Sequence, residues 1–117
     1  FLHSKNQAQS MRYRSKMSFH FSKIMKGQHS EFLAAGWLVK QNYLVYIKTQ
    51  DNDPMDLVAV KRDTGDVLKI DVKSVSFRKT WKPGTRICRV PSKYQKQLGV
   101  IILYVYPDGR CDFHGKD

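Results

Sequence analysis

Two short apolar runs decide the fold of this chain: DLVAV at residues 56–60 and LKIDVKS at residues 68–74. Both runs are rich in β-branched and aliphatic residues. The polar segment between them, residues 61–66, carries a glycine near its far end. This pattern predicts a β-hairpin with a short polar turn.

The alternation along the second run separates apolar from charged side chains. Successive side chains of a strand point to opposite faces, so Leu68, Ile70 and Val72 share one face and are expected to be buried. Asp71 and Lys73 then share the other face. The strand therefore predicts a covered apolar face and a charged one.

Asp56 opens the neighbouring strand, so we expect it close to Asp71 across the hairpin. Two carboxylates and the ammonium of Lys73 then meet at one place on a small sheet, which is unusual for a purely structural hairpin. In the alternative interpretation, Asp71 and Lys73 are solvated strand residues and Asp56 caps a turn.

The charge of the chain is unevenly distributed. Of 117 residues, 21 are Lys or Arg and 10 are Asp or Glu, which gives a formal net charge of +11. No acid occurs in residues 1–30 or 72–107, and seven of the ten acids lie between Glu31 and Asp71. Basic surroundings with clustered acids predict a polyanion-binding surface around an acidic pocket, although a generally basic soluble protein is the alternative.

The length predicts one domain over residues 21–117, preceded by a flexible basic arm over residues 1–20. No apolar run approaches the length that spans a membrane. Two cysteines, Cys88 and Cys111, make no disulfide framework. Together these features favour a reducing, intracellular setting.

A helix is predicted over residues 22–41, where apolar residues recur at helical spacing around Leu33, Ala34, Trp37 and Leu38. Lys26-Gly27 is expected to interrupt this segment, with Ser30 or Gln28 capping the helix that follows and Glu31 in the first turn of that helix. A glutamate there usually only complements the helix dipole, and a catalytic role is the alternative.

The segment after the hairpin, residues 75–90, alternates cations with aromatic residues and is expected to turn at Pro83-Gly84. Phe77 and Trp81 either contact DNA or fill the edge of the core. A short helix is predicted from Ser92 to the glycine at position 99, followed by strands over residues 100–106 and 111–114. The predicted DNA-binding residues are Arg78, Lys79, Trp81, Lys82, Arg86, Arg89, Lys93 and Lys96.

The order of these elements and the residues Pro54-Met55-Asp56, followed fifteen positions later by Asp71-Val72-Lys73, resemble the PD-(D/E)XK nuclease superfamily. Within it the chain resembles small Holliday-junction resolvases and homing endonucleases, which implies a cytoplasmic protein of a prokaryote or a phage. The resemblance implies an α/β fold with a restriction-endonuclease-like core, a central mixed sheet of four or five strands flanked by helices. Residues 50–53 depart from the arginine- and serine-bearing loop of the resolvases.

The resemblance also implies roles for individual residues. Asp56 and Asp71 would bind Mg²⁺, which Mn²⁺ can replace, with the carbonyl of Val72 as a third ligand. Glu31 would bind a second metal or a metal-bound water, and Lys73 would orient or deprotonate the attacking water. Carboxylate residues suit phosphodiester hydrolysis, because Mg²⁺ prefers carboxylate oxygens as ligands and helps to generate hydroxide.

We therefore predict a metal-dependent endodeoxyribonuclease that hydrolyses DNA phosphodiester bonds, either resolvase-like or of the homing or restriction type. It would act on duplex or branched DNA as a homodimer or higher homo-oligomer, because one site cuts one strand. The alternative is a catalytically inactive DNA-binding domain that keeps the fold. A basic RNA-binding protein would have no reason to cluster its acids.

Overall fold

A computed structural model describes residues 23–50 and 54–115 of the chain, so the predicted arm over residues 1–20 lies outside the described part. One five-stranded sheet forms its centre. The strands are β1 (Tyr43–Ile47), β2 (Leu57–Lys61), β3 (Val67–Ser74), β4 (Val100–Val105) and β5 (Cys111–Phe113). They lie side by side in sequence order. β3 and β4 are parallel and the other neighbours antiparallel, so the predicted mixed sheet is confirmed.

The predicted hairpin consists of β2 and β3. Leu57 pairs with Ile70 and Val60 with Val67. Gly65 closes the turn at φ 77°, a left-handed conformation that glycine adopts without a Cβ penalty. The turn thereby brings the start of β2 level with the middle of β3, where the charged residues lie.

One face of the sheet is covered by the helix α1, residues 23–40. Ala34 and Leu38, four positions apart, are fully buried against Leu57, Ile70 and other apolar residues of the sheet. The helix ends at residue 40, and Asn42 two positions later has a left-handed φ of 71°, which prevents the helix from continuing. We call this side of the sheet the helix face.

The other side of the sheet, which we call the open face, carries a smaller core. Val75, Ile102 and Tyr104 are buried there, and Tyr106 packs against them. The connection from β3 to β4 includes residues 75–92 and the short helix α2 (Lys93–Leu98). Lys69 of β3 donates a hydrogen bond of 2.9 Å to the carbonyl of Leu98, so α2 lies on this face. Helices therefore flank the sheet, as predicted.

The first helix runs without a break through Lys26-Gly27, where an interruption was predicted. It is already helical at residue 23, so Glu31 lies in its middle rather than in its first turn. Ser30, expected to cap the helix, is buried, and its hydroxyl shares a 2.6 Å hydrogen bond with that of Ser74. A tertiary contact satisfies this polar side chain within the helix. Among the described residues, no helix is long and apolar enough to cross a membrane.

Candidate active site

Asp56 is held at the entrance to β2 by bonds to both neighbouring strands. Its backbone N–H donates to the carbonyl of Ile70 at 2.7 Å. Its Oδ2 accepts a 2.8 Å bond from the N–H of Val72, and its Oδ1 accepts a 2.7 Å bond from Nζ of Lys48. The carboxylate is buried and fully oriented before any ligand arrives.

Asp71 and Lys73 lie on the open face, because Ile70 and Val72 alternate with them and point into the core under α1. The Asp71 carboxyl is buried next to that of Asp56, and the ammonium of Lys73 lies 3.5 Å from its Oδ2. The Lys73 side chain keeps 40% of its surface exposed. The structure thus brings Asp56, Asp71 and Lys73 together, as the hairpin pattern predicted.

Glu31 reaches the same place from α1. Its carboxylate lies 3.6 Å from Nζ of Lys48, which in turn binds Asp56. Lys48 follows β1 directly, and its backbone N–H donates to the carbonyl of Asp56 at 3.1 Å. Glu31 therefore joins the predicted cluster through a lysine.

Gln95 of α2 closes the opposite side of the cluster. Its Nε2 donates to Oδ2 of Asp71 at 3.1 Å and to the carbonyl of Pro54 at 2.8 Å. Its Oε1 accepts a bond from the N–H of Ser92, whose hydroxyl caps the helix by accepting from the N–H of Gln95. One side chain therefore serves both a capping box and the carboxyl of Asp71.

The surroundings shift the pKa values of Asp56 and Asp71 in opposite directions. Burial raises the pKa of Asp71 above its ordinary value, and the adjacent Asp56 raises it further. Burial acts the same way on Asp56, but hydrogen bonds from Lys48 and from the N–H of Val72 outweigh it and lower the pKa of Asp56. As the pH falls, Asp71 therefore takes up a proton before Asp56 does.

The pKa values of Glu31 and Lys48, the two residues farthest from Asp71 in the cluster, are also shifted. Burial, followed by the charge of Asp56, raises the pKa of Glu31. The hydrogen bond to Asp56 raises the pKa of Lys48. The ammonium of Lys48 is therefore held in its charged form by the carboxylates that it joins.

The donor set fits a hard divalent cation of the magnesium type. Mg²⁺ is usually bound by one or two carboxylates and keeps several waters, which matches the adjacent pair Asp56 and Asp71. A cation there would favour the ionised form of Asp71, whose pKa is raised by burial and by the adjacent Asp56. In the described part of the chain, no three His, Cys, Asp or Glu side chains are grouped to hold a metal ion. The metal roles predicted for Asp56, Asp71, Glu31 and the Val72 carbonyl stay predictions.

An open cleft of about 470 Å³ lies beside the acids. It is lined by two residues of β3, by the proline that precedes β2 and by residues before and within α2, namely Asp71, Lys73, Pro54, Arg89, Val90, Ser92, Tyr94 and Gln95. Cations, an acid and an exposed tyrosine therefore face one space. Such a lining suits a phosphate chain with an attached base.

The basic segment before α2 forms an irregular hairpin, as its turn residues predicted. Phe77 and Arg86 make an antiparallel bridge, and Gly84 turns at φ 83°. Trp81 is 63% exposed at its tip, with the guanidinium of Arg78 4.6 Å and the ammonium of Lys82 4.7 Å from its ring centroid. An exposed ring flanked by cations does not belong to the core.

The other predicted DNA-binding residues differ in their exposure to solvent and in their bonds within the domain. Lys79, Arg89, Lys93 and Lys96 are exposed. Arg86 instead donates 3.0 Å bonds to Asp112 and to the hydroxyl of Tyr106. Its guanidinium is therefore hydrogen-bonded within the domain, where it ties the basic hairpin to the sheet.

Lys48 and Gln95 were not among the predicted site residues. Lys48 is the single cation within the apolar run over residues 43–49, and Gln95 stands three positions after Ser92 in a capping-box pattern. These signals were present, but each has an ordinary structural meaning. Only the folded arrangement turns them toward the aspartates.

No family model matches the sequence, and no curated protein matches it. Among solved structures, the fold is similar to that of a bacterial homing endonuclease, I-Ssp6803I, with a TM-score of 0.56 and 19% sequence identity. The match covers 74% of this chain and 64% of that chain, so it spans somewhat less than two thirds of the endonuclease. At this identity the likeness establishes a shared fold.

Proposed function

We propose that this protein is a Mg²⁺-dependent endodeoxyribonuclease of the PD-(D/E)XK type. One observation carries the proposal: Asp56, Asp71 and Lys73 lie together at one end of the β2–β3 hairpin, beside a basic segment. The fold likeness to a bacterial homing endonuclease supports the same conclusion. A purely structural hairpin has no need to bury two adjacent carboxyl groups.

Asp56 and Asp71 would hold the cation, with the Val72 carbonyl as the third protein ligand that the motif implies. When bound, Mg²⁺ supplies Lewis-acid activation of the scissile phosphate and eases deprotonation of water, and Mn²⁺ can take its place. The protein contributes orientation. Both oxygens of Asp56 are already fixed by hydrogen bonds, and Gln95 fixes Asp71.

Lys73 is placed to act on the attacking water and on the phosphate. Its ammonium lies 3.5 Å from Asp71, yet much of the side chain remains exposed toward the cleft. From there it can orient the water and stabilise negative charge that develops on the phosphate. Neutralising this ammonium removes the group without altering the helix face.

The basic segment would position the DNA. Arg89 lines the cleft beside Lys73, and Trp81 extends from the tip of the loop. Cations fix the backbone through phosphates, while an exposed aromatic ring stacks on a base or wedges between base pairs. Cleavage of both strands would require a second copy, so we propose a homodimer or higher homo-oligomer as the active form.

The test is DNA cleavage with MgCl₂ or with EDTA, using supercoiled plasmid, linear duplex, a flap and a four-way junction. The wild type should cut in MgCl₂ only. Asp71→Asn should lose at least about a hundredfold in rate, as expected when a central electrostatic group is removed. Asp63→Asn, which changes an exposed acid of the hairpin turn, should cut normally.

The substrates separate the candidate types. Preference for the four-way junction would indicate a resolvase, whereas cleavage of linear duplex at a defined site would indicate a homing or restriction type. DNA binding without cleavage in MgCl₂ or MnCl₂ would contradict the proposal and favour a non-catalytic binding domain. Cleavage that persists in Asp71→Asn would show that the site is assigned wrongly.

A further inference from the structure

We propose that Lys48 is a built-in cation that holds Glu31 and Asp56 in the metal-free protein and must turn away from Asp56 when a divalent cation binds there. It thereby sets how tightly the site takes its metal. The inference rests on the proposed function, because it requires that the pair Asp56 and Asp71 is a metal site. It adds a residue and a competition that the motif does not contain.

The contacts of Asp56 make the competition unavoidable. Its Oδ2 is engaged by the N–H of Val72 at 2.8 Å, a bond within the sheet. Its Oδ1 is engaged by Nζ of Lys48 at 2.7 Å. A divalent cation on Oδ1 would be placed against a like charge, which is strongly unfavourable where both side chains are largely buried.

The two lysines of the cluster are held differently. Lys48 contacts two carboxylates and has 20% of its side chain exposed, whereas Lys73 contacts one and has 40% exposed. Lys48 therefore neutralises the acids directly, while Lys73 remains available to the cleft. Their positions assign different tasks to two residues of the same type.

Lys48 also has room to move without disturbing the sheet. Its backbone is fixed by the bond from its N–H to the carbonyl of Asp56. Its side chain borders an open pocket of about 290 Å³, which Glu31 and Phe32 also line. The ammonium can therefore turn away from Asp56 by side-chain rotation alone while it stays near Glu31.

This arrangement has a cost and a benefit for the site. Without metal, the ammonium offsets charge repulsion among the acids and keeps them in place. With metal, the same ammonium weakens binding, because its contacts with Asp56 must first be broken. The measured metal affinity is then the affinity of Asp56 and Asp71 for the divalent cation, reduced by the free energy needed to displace the Lys48 ammonium from Asp56.

The experiment is calorimetric titration of the wild type, Lys48→Met and Lys40→Met with MnCl₂ and with MgCl₂, without DNA. Lys40 is an exposed lysine of α1, so its substitution controls for the loss of one positive charge. Lys48→Met should bind Mn²⁺ at least about tenfold more tightly than Lys40→Met, a coupling of ordinary size between two ligands. Equal or weaker binding by Lys48→Met would overturn the proposal.

Thermal unfolding gives a second readout. In EDTA, Lys48→Met should melt below Lys40→Met, because its acids have lost their counter-charge. MgCl₂ should raise the melting temperature of Lys48→Met more than that of the control, since tighter binding to the folded state stabilises it more. An equal rise in both proteins would contradict the inference.

If Lys48→Met does not fold, the wild type still decides the matter. The ¹⁵N resonance of the Lys48 ammonium should shift on addition of MgCl₂ as its bond to Asp56 breaks, while that of Lys40 should not. A resonance that stays unchanged at saturating Mg²⁺ would overturn the proposal.

Asp71→Asn separates this inference from the proposed function. If the wild type binds Mn²⁺ and Asp71→Asn does not, the metal site stands and the Lys48 result tests only the competition. If neither the wild type nor Lys48→Met binds Mn²⁺, both the metal site and the role of Lys48 are overturned.

Discussion

The two faces of the sheet carry different kinds of side chains. On the helix face, Ala34 and Leu38 pack fully buried against apolar side chains of the strands. On the open face, the buried Tyr104 lies within a smaller core, and the charged residues Asp71 and Lys73 lie beside it. The larger apolar core therefore lies on one side of the sheet and the charged cluster on the other.

This separation follows from the alternation of a single strand. In β3, Ile70 and Val72 point toward α1 while Asp71 and Lys73 point away, so the same eight residues serve both faces. The charged face can therefore carry repulsion that the apolar face offsets. Substitutions on the two faces should accordingly differ in size and even in sign.

The largest loss of stability is expected on the helix face. Leu38→Ala removes a fully buried side chain and should lower the free energy of unfolding by about 2–5 kcal/mol. Val39→Ala, at the exposed neighbouring position, should change it by less than about 0.5 kcal/mol. Urea denaturation followed by circular dichroism measures both. Equal effects would mean that α1 does not cover the main core.

A smaller loss is expected for the core of the open face. The hydroxyl of Tyr104 accepts a 2.7 Å bond from the N–H of Arg89 and shares a 3.0 Å bond with Nδ1 of His114. Tyr104→Phe leaves these groups without their partner and should cost about 1–3 kcal/mol in urea denaturation. Tyr94→Phe removes a hydroxyl from an exposed tyrosine and should cost almost nothing. A Tyr104→Phe protein as stable as this control would show that the bonds are not made.

A gain is expected where the open face carries repulsion. The pKa of Asp71 is raised above its usual 3.8 by burial and by Asp56, so its contribution to stability is favourable at low pH and is lost as the pH rises through the shifted pKa. Asp71→Asn removes this term. The variant should therefore melt above the wild type at neutral pH, by less than the change caused by Tyr104→Phe.

The advantage of Asp71→Asn should shrink as the pH falls below the usual value of an aspartate, because the wild-type carboxyl is then protonated. Melting temperatures measured across the acidic range follow this difference. Asp63→Asn provides the matched comparison on an exposed turn. A gain that persisted unchanged at low pH would contradict the assigned repulsion.

The smallest change in stability is expected at Trp81, which extends from the open-face loop. Trp81→Ala should alter the free energy of unfolding by less than about 0.5 kcal/mol, because the ring is mostly exposed. Its DNA affinity should nevertheless fall by about 1–3 kcal/mol if the ring stacks on a base. Fluorescence anisotropy with labelled DNA measures the affinity. Val67→Ala, an exposed position outside the loop, should leave both quantities unchanged.

The fold class was predictable because its signals are local. The alternation in residues 68–74 specifies which side chains are buried, and Gly65 marks the hairpin turn. The start of α1 was not predictable in the same way. Ser30 resembles a cap in the sequence, but its hydroxyl is satisfied by Ser74, 44 residues away.

The same distinction applies to the site. Asp56, Asp71 and Lys73 belong to one hairpin, so their proximity follows from strand geometry. Lys48 reaches the acids from the position after β1 and Gln95 from α2, and nothing in the sequence around either residue specifies that approach. A lysine or a glutamine that reaches the site from a distant element has no local sequence pattern that would predict its position.

The double use of Gln95 links two events that are otherwise independent. A helix of six residues is too short to persist in water without tertiary support, so α2 depends on its cap and on its docking. The same amide holds the carboxyl of Asp71. Fraying of α2 and loss of alignment at Asp71 should therefore be one local unfolding event, with amide hydrogens of α2 exchanging whenever the site opens. Substrate that docks against this helix would then slow that exchange and tighten the carboxyl pair in the same step.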